Sequence, residues 1–369
     1  MNILVTGANG FIGKNLCIHL KEAGFESIET ITRDDTDESI DKKVNSADFI
    51  YHLAGINRPE NDDEFKTGNT DLTQKIVDTL VNNKLSTPIL LTSSIQAELN
   101  NPYGVSKAGA ESAIAAYREK TGSAAYIYRL PNVFGKWCKP NYNSAVATFC
   151  YNTINDLPIT IHNADAPLSL VYIDDVCNSF VSLLTNTPLE PEEYSQVEPV
   201  YKTTVDQVLS LLNDFKQSRI SLINSKVGVG FERALYSTYL SYFKPEQFTY
   251  DVPSYNDERG SFSEMLKTTE SGQFSFFTAH PGITRGGHYH HSKNEKFLVV
   301  KGEACFKFKH IVSGEVYKLT TSEKVRTIVE TVPGWTHDIT NIGSEELIVM
   351  LWANEIFDRD KPDTVAMPL

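Results

Sequence analysis

The chain of 369 residues has little cysteine, no excess of basic residues and no long apolar run. Its five cysteines are scattered and form no Cys-x-x-Cys pair, which argues against a disulfide framework and against a zinc site built from thiolates. No stretch of about 18 apolar residues is present, so we expect no membrane span. Lys and Arg number 34 against 47 Asp and Glu, and the net charge of -13 disfavours binding to nucleic acid or to an anionic membrane. Residues 1–13 lack the basic segment of a signal peptide, so we expect a cytoplasmic protein.

The order of the hydrophobic runs divides the chain into two parts. Up to residue 243, short runs rich in β-branched residues alternate with longer helical stretches, which predicts right-handed crossovers and a Rossmann-like, doubly wound parallel sheet. From Tyr250 onward, short alternating runs are broken by Gly, Asn and Pro without helices between them, which predicts an all-β barrel or jelly roll. We therefore predict an α/β domain over residues 1–243 and an all-β domain over residues 244–369.

The first predicted strand runs into a glycine-rich loop that opens a helix. The loop reads Gly7-Ala8-Asn9-Gly10-Phe11-Ile12-Gly13, which is a GxxGxxG spacing. Glycines in such a loop let the backbone approach a pyrophosphate, whose charge is then met by the N-terminal amides of the helix. We predict a dinucleotide site formed by Gly7, Asn9, Gly10, Phe11, Ile12 and Gly13.

The residue after the second predicted strand bears on the choice between the two nicotinamide cofactors. Arg33 stands 20 residues after Gly13. A carboxylate in this position would bind the ribose 2′-hydroxyl of NAD, whereas an arginine suits the 2′-phosphate of NADP. We predict NADPH as the cofactor; the alternative is that Arg33 is a solvated charge at the end of a strand.

A tyrosine and a lysine four residues apart predict a reductase site. Tyr103 and Lys107 share one face of a predicted helix, so the ammonium can approach both the phenol and the cofactor ribose. A neighbouring positive charge lowers the pKa of a phenol, which makes Tyr103 a usable proton donor to an alkoxide that forms at a carbonyl. Thr92, Ser93 and Ser94 end the preceding strand, and we assign the hydroxyl that binds the same carbonyl to Ser94.

These motifs resemble the extended short-chain dehydrogenase/reductases that modify nucleotide sugars. The resemblance covers the first predicted domain and includes the segments HLAG at 52–55, RLPNVFG at 129–135 and VYIDDV at 171–176. It implies that Ala54 and Gly55 line the cleft for the nicotinamide and the ribose. One feature departs from the family pattern: only eight residues separate Ser94 from Tyr103.

Three histidines and a glutamate in the second part predict a metal site. His288 and His290 alternate on a predicted strand and therefore point the same way, and Glu295 begins the next strand. His337, from a distant strand, completes a set of three nitrogens and one oxygen, which suits zinc or another divalent metal. The pattern resembles the two motifs of the cupin family, although the second motif has Pro333 directly before Gly334 and lacks the leading glycine of the family.

A narrower resemblance implies a different role for His288. Residues 257–264, 285–288 and 296–299 are similar to the dTDP-4-keto-6-deoxysugar 3,5-epimerases, which are metal-free enzymes of the cupin fold. This resemblance implies that His288 abstracts a proton and that Lys296 supports the enolate. A metal-bound ring nitrogen has no free lone pair, so His288 is either a metal ligand or the base. Lys296 directly follows Glu295 and therefore points to the opposite face of the strand. The alternative is that Lys296 is a solvated strand residue.

The two predicted sites fit one reaction sequence on a keto nucleotide sugar. A ketone at C4 acidifies the hydrogen at C3, so a base and an oxyanion partner suffice to invert C3. Reduction of the ketone by NADPH then fixes the new configuration. The order of reductase and cupin is similar to a family of bifunctional enzymes of capsular polysaccharide synthesis, on the way to UDP-N-acetyl-L-fucosamine. This resemblance implies a UDP-linked 4-keto-6-deoxy-HexNAc as substrate, UDP-2-acetamido-2,6-dideoxy-L-talose as product, and a homodimer.

Two other interpretations stay open from the sequence alone. In the first, the N-terminal part is a nucleotide-sugar 4-epimerase or dehydratase with tightly held NAD, and the cupin only binds sugar. In the second, the chain is a regulator that binds NADP without turnover. Arg33 argues against the first interpretation, and the pair of Tyr103 and Lys107 argues against the second.

Overall fold

The structure is a computed structural model that describes residues 1–185, 192–252, 254–257, 260–263, 266–268, 272–355 and 360–369. By its internal contacts the chain divides into two units: a first unit of residues 1–134, 141–144 and 168–202, and a second unit of residues 135–140, 145–167 and 203–369. This division differs from the predicted boundary between residues 243 and 244, because residues 135–140, 145–167 and 203–243 group with the C-terminal strands.

The first unit is built on a parallel sheet. Its strands are β1 (Ile3–Thr6), β2 (Ile28–Ile31), β3 (Phe49–His52), β4 (Ile89–Ser94) and β5 (Ala125–Leu130), in the order β2-β1-β3-β4-β5. All four strand pairs are parallel, and β1 and β3 are buried along their whole length, as a sheet covered on both faces requires. In such a sheet ligands bind in the crevice at the carboxyl ends of the strands, where the strand order reverses. In this sheet the reversal lies beside β1.

Helices connect the strands of this sheet, and further helices belong to the second unit. In chain order they are α1 (Phe11–Glu22), α2 (Asp37–Ser46), α3 (Asp63–Phe65), α4 (Leu72–Asn82), α5 (Pro102–Thr121), α6 (Ala145–Ile154), α7 (Ile173–Thr185), α8 (Val205–Ser221) and α9 (Gly230–Leu240). A π-helix (Lys66–Asp71) joins α3 to α4, and 3-10 helices cover Ile95–Glu98 and Pro245–Gln247. Aliphatic side chains of the sheet and of α2, α4 and α5 form one buried core, which includes Leu4, Ile40, Ile50, Ile76 and Ile114. Of the helices that the structure describes, none combines the length and the apolar character needed to cross a membrane.

The start of α5 is fixed by local interactions. The side-chain oxygen of Asn101, the N-cap residue, accepts a hydrogen bond from the backbone N–H of Gly104 at 2.8 Å. Pro102 occupies the first helical position, where its missing N–H costs nothing. Tyr103 and Lys107, which follow on this helix, are therefore held on a well-defined turn.

Two five-stranded antiparallel sheets dominate the second unit. One has the order β10 (Thr249–Asp251), β19 (Thr327–Glu330), β16 (Glu295–Lys301), β21 (Leu347–Ala353) and β14 (Gln273–Ala279). The other has the order β18 (Val316–Ser322), β17 (Glu303–His310), β20 (Trp335–Asn341), β15 (Thr284–Tyr289) and β22 (Val365–Ala366). The sheets pack face to face, since the ring of Phe297 lies 5.8 Å from that of Phe306 in the other sheet. The predicted fold class, a Rossmann-like parallel sheet followed by an all-β part, is confirmed.

Short strands complete the secondary structure that is described. They are β6 (Asn132–Phe134), β7 (Pro167–Tyr172) and β8 (Tyr201–Thr204) in one small sheet, β9 (Ile223–Asn224) paired with β13 (Lys267–Thr268), and the hairpin of β11 (Ser254–Asp257) and β12 (Gly260–Ser263).

Candidate functional site

The glycine loop lies between the end of β1 and the start of α1, as its sequence predicts. Gly7 has a φ of +69°, and a Cβ atom there would lie 2.7 Å from the backbone nitrogen of Ala54, so no other residue fits without a shift. The N–H of Ala54 donates to Thr6 Oγ1 at 3.0 Å, which joins the ends of β1 and β3 at the loop. Gly10 caps α1, and the first turn of that helix carries no acidic side chain. This arrangement suits an anionic ligand such as a pyrophosphate.

The remaining predicted loop residues differ in exposure. Asn9 is exposed, whereas Phe11 and Ile12 are half-buried in the first turn of α1 and Gly13 is buried. The structure therefore brings the six predicted loop residues together at one helix start.

Arg33 lies just beyond β2 and is exposed. The nearby Asp35 is bound by neighbouring residues. Its carboxylate accepts hydrogen bonds from the backbone N–H of Thr32 at 2.8 Å and from Ser39 Oγ at 2.6 Å. It also pairs with the ammonium of Lys43. The bonds from Lys43 and Ser39 lower the pKa of Asp35. This carboxylate is thus already satisfied, while the guanidinium of Arg33 faces solvent.

Ser94 is the hydroxyl that meets Tyr103. The two side chains interact, and the 3-10 helix Ile95–Glu98 forms the first half of the short segment between them. Ser93 Oγ instead donates to Glu111 Oε1 at 2.5 Å, and Thr92 Oγ1 donates to the His52 carbonyl at 3.4 Å. The geometry therefore favours Ser94 over the other two hydroxyls of β4.

Lys107 is buried beside Gly55. Its ammonium donates to the Thr92 carbonyl at 3.1 Å, and a Cβ atom on Gly55 would lie 3.1 Å from the same nitrogen. Burial lowers the pKa of Lys107 to about 8, although Glu111 opposes this shift. Sequence reasoning missed Asn69, whose side-chain oxygen accepts from the N–H of Ile56 at 2.8 Å and so fixes the turn after Gly55.

The predicted lowering of the Tyr103 pKa is wrong for this structure. Burial raises the pKa of Tyr103, and the interaction with Ser94 opposes the rise only in part. The residue spacing indicates that Lys107 is near, but it does not show how much water surrounds the phenol. Tyr103 is therefore held in its protonated form, which is the form a proton donor needs.

The four predicted metal-binding residues converge in the second unit. His288, His290, Glu295 and His337 each offer a ligand atom, and these atoms lie within 4.8 Å of one another. Glu295 Oε2 lies 3.3 Å from Nε2 of His290 and 3.4 Å from Nε2 of His337. Three of the four residues are buried and His288 is half-buried.

The two sheets supply these residues from facing strands. His288 of β15 is paired in register with His337 of β20, after a bulge that begins at Gly286. Glu295 comes from the opposite sheet, at the first residue of β16. A bulge re-aims a side chain, and here it lies directly before the first histidine.

The protonation of this cluster fits a divalent metal. Burial and the neighbouring His337 and His290 lower the pKa of His288 to about 4, and burial also lowers the pKa of His337. Burial alone would raise the pKa of Glu295, but its interactions with the neighbouring His290 and His337 hold it well below its ordinary value. Neutral imidazoles and an ionised carboxylate are the forms that a metal such as zinc binds.

Lys296 is not part of this cluster, so the structure does not bring it beside His288, where its predicted role in supporting an enolate would place it. It follows Glu295 on β16 and therefore points to the opposite face of the sheet. There its ammonium is buried, pairs with the Glu330 carboxylate and donates to Tyr250 Oη at 3.0 Å. A guanidinium nitrogen of Arg219 lies 3.6 Å from the same glutamate. Lys296 thus belongs to a buried ionic network.

Replacing Lys296 by Met is expected to lower the free energy of unfolding by about 3 kcal/mol, because it leaves the buried Glu330 carboxylate without its main partner. The double variant Lys296→Met with Glu330→Leu is expected to recover most of this loss, since an apolar pair replaces the ions. Arg219 stays satisfied, because it donates to the backbone carbonyls of Gln247 and Thr249. Urea unfolding measures both effects. A Lys296→Met protein of unchanged stability would contradict this assignment.

Residues 257–264, which carry part of the resemblance to the 3,5-epimerases, lie partly outside the described residues. The backbone of 254–257 and 260–263 forms the hairpin of β11 and β12, while residues 258–259 and 264 are not described. The expectation for residues 257–264 therefore stays a prediction.

Comparison with known proteins covers the whole chain. Residues 3–195 match the NAD dependent epimerase/dehydratase family, and residues 255–365 match the Polysaccharide biosynthesis C-terminal domain. A relative from Pseudomonas aeruginosa, named UDP-2-acetamido-2,6-beta-L-arabino-hexul-4-ose reductase, is 55% identical over 366 residues, which are 99% of this chain and 98% of the relative.

Solved structures agree with this comparison. The crystal structure of the capsular polysaccharide assembling protein CapF from Staphylococcus aureus covers 100% of both chains, with 42% sequence identity and a TM-score of 0.69. UDP-glucuronic acid 4-epimerase from Bacillus cereus, in complex with NAD, shares the fold alone, at 22% identity and a TM-score of 0.52 over 58% of this chain and 83% of that chain. The chain therefore belongs to the NAD dependent epimerase/dehydratase family and carries a polysaccharide biosynthesis C-terminal domain, which confirms its resemblance to the bifunctional enzymes of capsular polysaccharide synthesis.

Proposed function

We propose that the chain is a nucleotide-sugar oxidoreductase that uses NADPH to reduce the C4 ketone of a UDP-linked 4-keto-6-deoxy-HexNAc. The observation that carries the proposal is that the side chains of Ser94 and Tyr103 interact, with Lys107 buried beside Gly55. The full-length relative that shares 55% identity is named as a reductase of a UDP-linked hexul-4-ose, which supports the same chemistry.

In this proposal Ser94 and Tyr103 both act on the oxygen at C4. The glycine loop, Arg33 and Lys107 would hold NADPH, which would supply the hydride for C4 and be oxidised to NADP+. The hydroxyl of Ser94 donates a hydrogen bond to the ketone oxygen, and Tyr103 donates its proton to that oxygen as it becomes an alkoxide. Tyr103 then regains a proton from solvent, and Lys107 binds the cofactor ribose.

We assign inversion at C3 to the second unit, before the reduction. The C4 ketone makes the C3 hydrogen acidic, so a base removes that proton and a proton returns to the opposite face. His288, His290, Glu295 and His337 would hold a divalent metal, and zinc suits this set. Such a metal would supply a Lewis acid for polarising a carbonyl oxygen. His288 then serves as a ligand rather than as the base, and reduction gives UDP-2-acetamido-2,6-dideoxy-L-talose.

The preference for NADPH is tested at Arg33. Arg33→Ala is expected to raise the KM for NADPH about tenfold, which corresponds to about 1.4 kcal/mol, because a guanidinium contact to the 2′-phosphate is lost. The KM for NADH is expected to stay the same. Lys42→Ala, which removes an exposed cation from α2, is the control. An equal rise for both cofactors in Arg33→Ala would contradict selection by the 2′-phosphate.

The reductase itself is tested with the full chain, the UDP-linked 4-keto-6-deoxy-HexNAc and NADPH. We expect one NADPH to be oxidised for each reduced sugar formed, as followed by cofactor absorbance and mass spectrometry of the product. Absence of NADPH oxidation would overturn the proposal. A nicotinamide spectrum in the freshly purified protein, with the sugar epimerised and no net reduction, would instead favour a tightly held NAD.

A further inference from the structure

The C-terminal segment of residues 360–369 packs along the strand that carries the first metal-binding histidine. In β22, Ala366 pairs with His288 and Val365 pairs with Tyr289. The N–H of Met367 donates to the Gly287 carbonyl at 2.7 Å, and its own carbonyl accepts from Thr336 Oγ1 at 2.6 Å. This segment is therefore an edge strand of the sheet that supplies both His288 and His337.

The backbone carbonyl of Asp363 determines the tautomer of His290. Nδ1 of His290 is hydrogen-bonded to this carbonyl oxygen. A carbonyl only accepts, so Nδ1 carries a proton, and in the neutral ring the lone pair lies on Nε2. Nε2 faces Glu295 Oε2 at 3.3 Å. Nε2 and Oε2 are then both hydrogen-bond acceptors, and two acceptors at this distance suit a cation bound between them. A metal-binding histidine typically donates its other ring N–H to an acceptor such as a backbone carbonyl, as His290 does here.

The carboxylate of Asp363 holds the loop between β15 and β16. Its Oδ1 accepts from the N–H of His291 at 2.9 Å, and its Oδ2 accepts from the N–H groups of Ser292 and Lys293 at 2.7 and 2.6 Å. Three successive amides around one carboxylate fix the path of the loop backbone.

The fixed loop in turn presents Lys293 to the fourth ligand. Nζ of Lys293 lies 3.0 Å from Glu295 Oε1, while Glu295 Oε2 faces the histidines. Lys293 and Glu295 are both buried, so the ammonium orients this carboxylate and leaves a single oxygen toward the cluster. One residue, Asp363, thereby acts on two of the four ligands.

We propose that Asp363 is a positioning residue of the metal site: its carboxylate anchors the Asp363 backbone, whose carbonyl orients His290, to the loop that presents Lys293 to Glu295. This inference rests on the proposed metal site. Loss of a partner outside the ligand set typically weakens metal binding by about 10- to 100-fold. We therefore expect the C-terminal segment to contribute directly to metal affinity.

The experiment uses Asp363→Ala and Asp363→Asn in the full chain. Zinc affinity is measured by competition with a chromophoric chelator, and the visible spectrum is recorded after loading with Co2+. We expect Asp363→Ala to bind zinc roughly 10- to 100-fold more weakly and to alter the Co2+ spectrum. Asp363→Asn keeps one acceptor oxygen and should lose less. Glu345→Gln, which removes an exposed carboxylate paired with Lys301, should match the unmodified chain.

The outcomes separate the inference from the proposal beneath it. If the unmodified chain binds neither zinc nor Co2+, the metal site and this inference both fail. If the unmodified chain binds zinc and Asp363→Ala binds it equally well, only the inference fails. A merely structural role would lower the thermal stability of the metal-free protein and leave the Co2+ spectrum unchanged, which would also overturn the inference.

Discussion

Replacing Tyr103 by Phe is expected to lower kcat for the NADPH-dependent reduction by about 100- to 10,000-fold, which is the usual contribution of a positioned proton donor. Phenylalanine retains the ring, which lies 5.6 Å from that of Phe65, so we expect the fold and the affinity for NADPH to be unchanged. Steady-state kinetics measure the rate, and fluorescence titration measures the cofactor affinity.

Tyr126→Phe is the matched control for this loss. The hydroxyl of Tyr126 is buried and has no hydrogen-bond partner among the described residues, so its removal changes nothing that the site uses. We expect this variant to stay within about twofold of the original rate. If Tyr103→Phe also kept a rate within about twofold of the original, Tyr103 would not be the proton donor, and the assignment of Ser94 would lose its basis.

Replacing His290 by Gln is expected to weaken zinc binding by about 100-fold or more, because losing a ligand should cost at least as much as losing an outer partner. We also expect the variant to lose exchange of the C3 hydrogen, whereas its affinity for NADPH should not change, because the glycine loop belongs to the first unit. Elemental analysis and chelator competition report the metal, and NMR in D2O reports the exchange.

His280→Gln serves as the control for the histidine change. His280 is exposed and is not one of the four clustered residues, so we expect normal zinc binding and normal exchange. A His290→Gln protein that retained zinc with the original affinity would contradict the ligand set. Loss of zinc without loss of C3 hydrogen exchange would show that the metal has no role at C3. It would favour His288 as the base that removes the C3 proton.

Local patterns were sufficient to predict the elements that hold both sites. The glycine loop opens α1 where its spacing indicates, and the alternation of His288 and His290 leads to a cluster that includes Glu295 and His337. The alternation of a strand indicates that Lys296 points away from Glu295. It does not show that this second face is also buried, so the alternative of a solvated strand residue is wrong.

Other features depend on contacts that no local pattern contains. Asp363 lies far along the chain from His290, and its effect depends on a hydrogen bond from that ring. The raised pKa of Tyr103 depends on burial, which the spacing to Lys107 does not reveal. The grouping of α8 and α9 with the C-terminal strands depends on contacts such as that of Arg219 with Glu330. Only the folded arrangement of the chain shows these relations.

The most direct test of the account is the reaction of the full chain with the 4-keto sugar and NADPH in D2O. We predict a reduced sugar that carries deuterium at C3, because inversion exchanges this hydrogen with solvent before hydride from NADPH reaches C4. A reduced product with hydrogen retained at C3 would show that the second unit does not invert this carbon. It would contradict the claim that one protein carries out both the inversion at C3 and the reduction at C4.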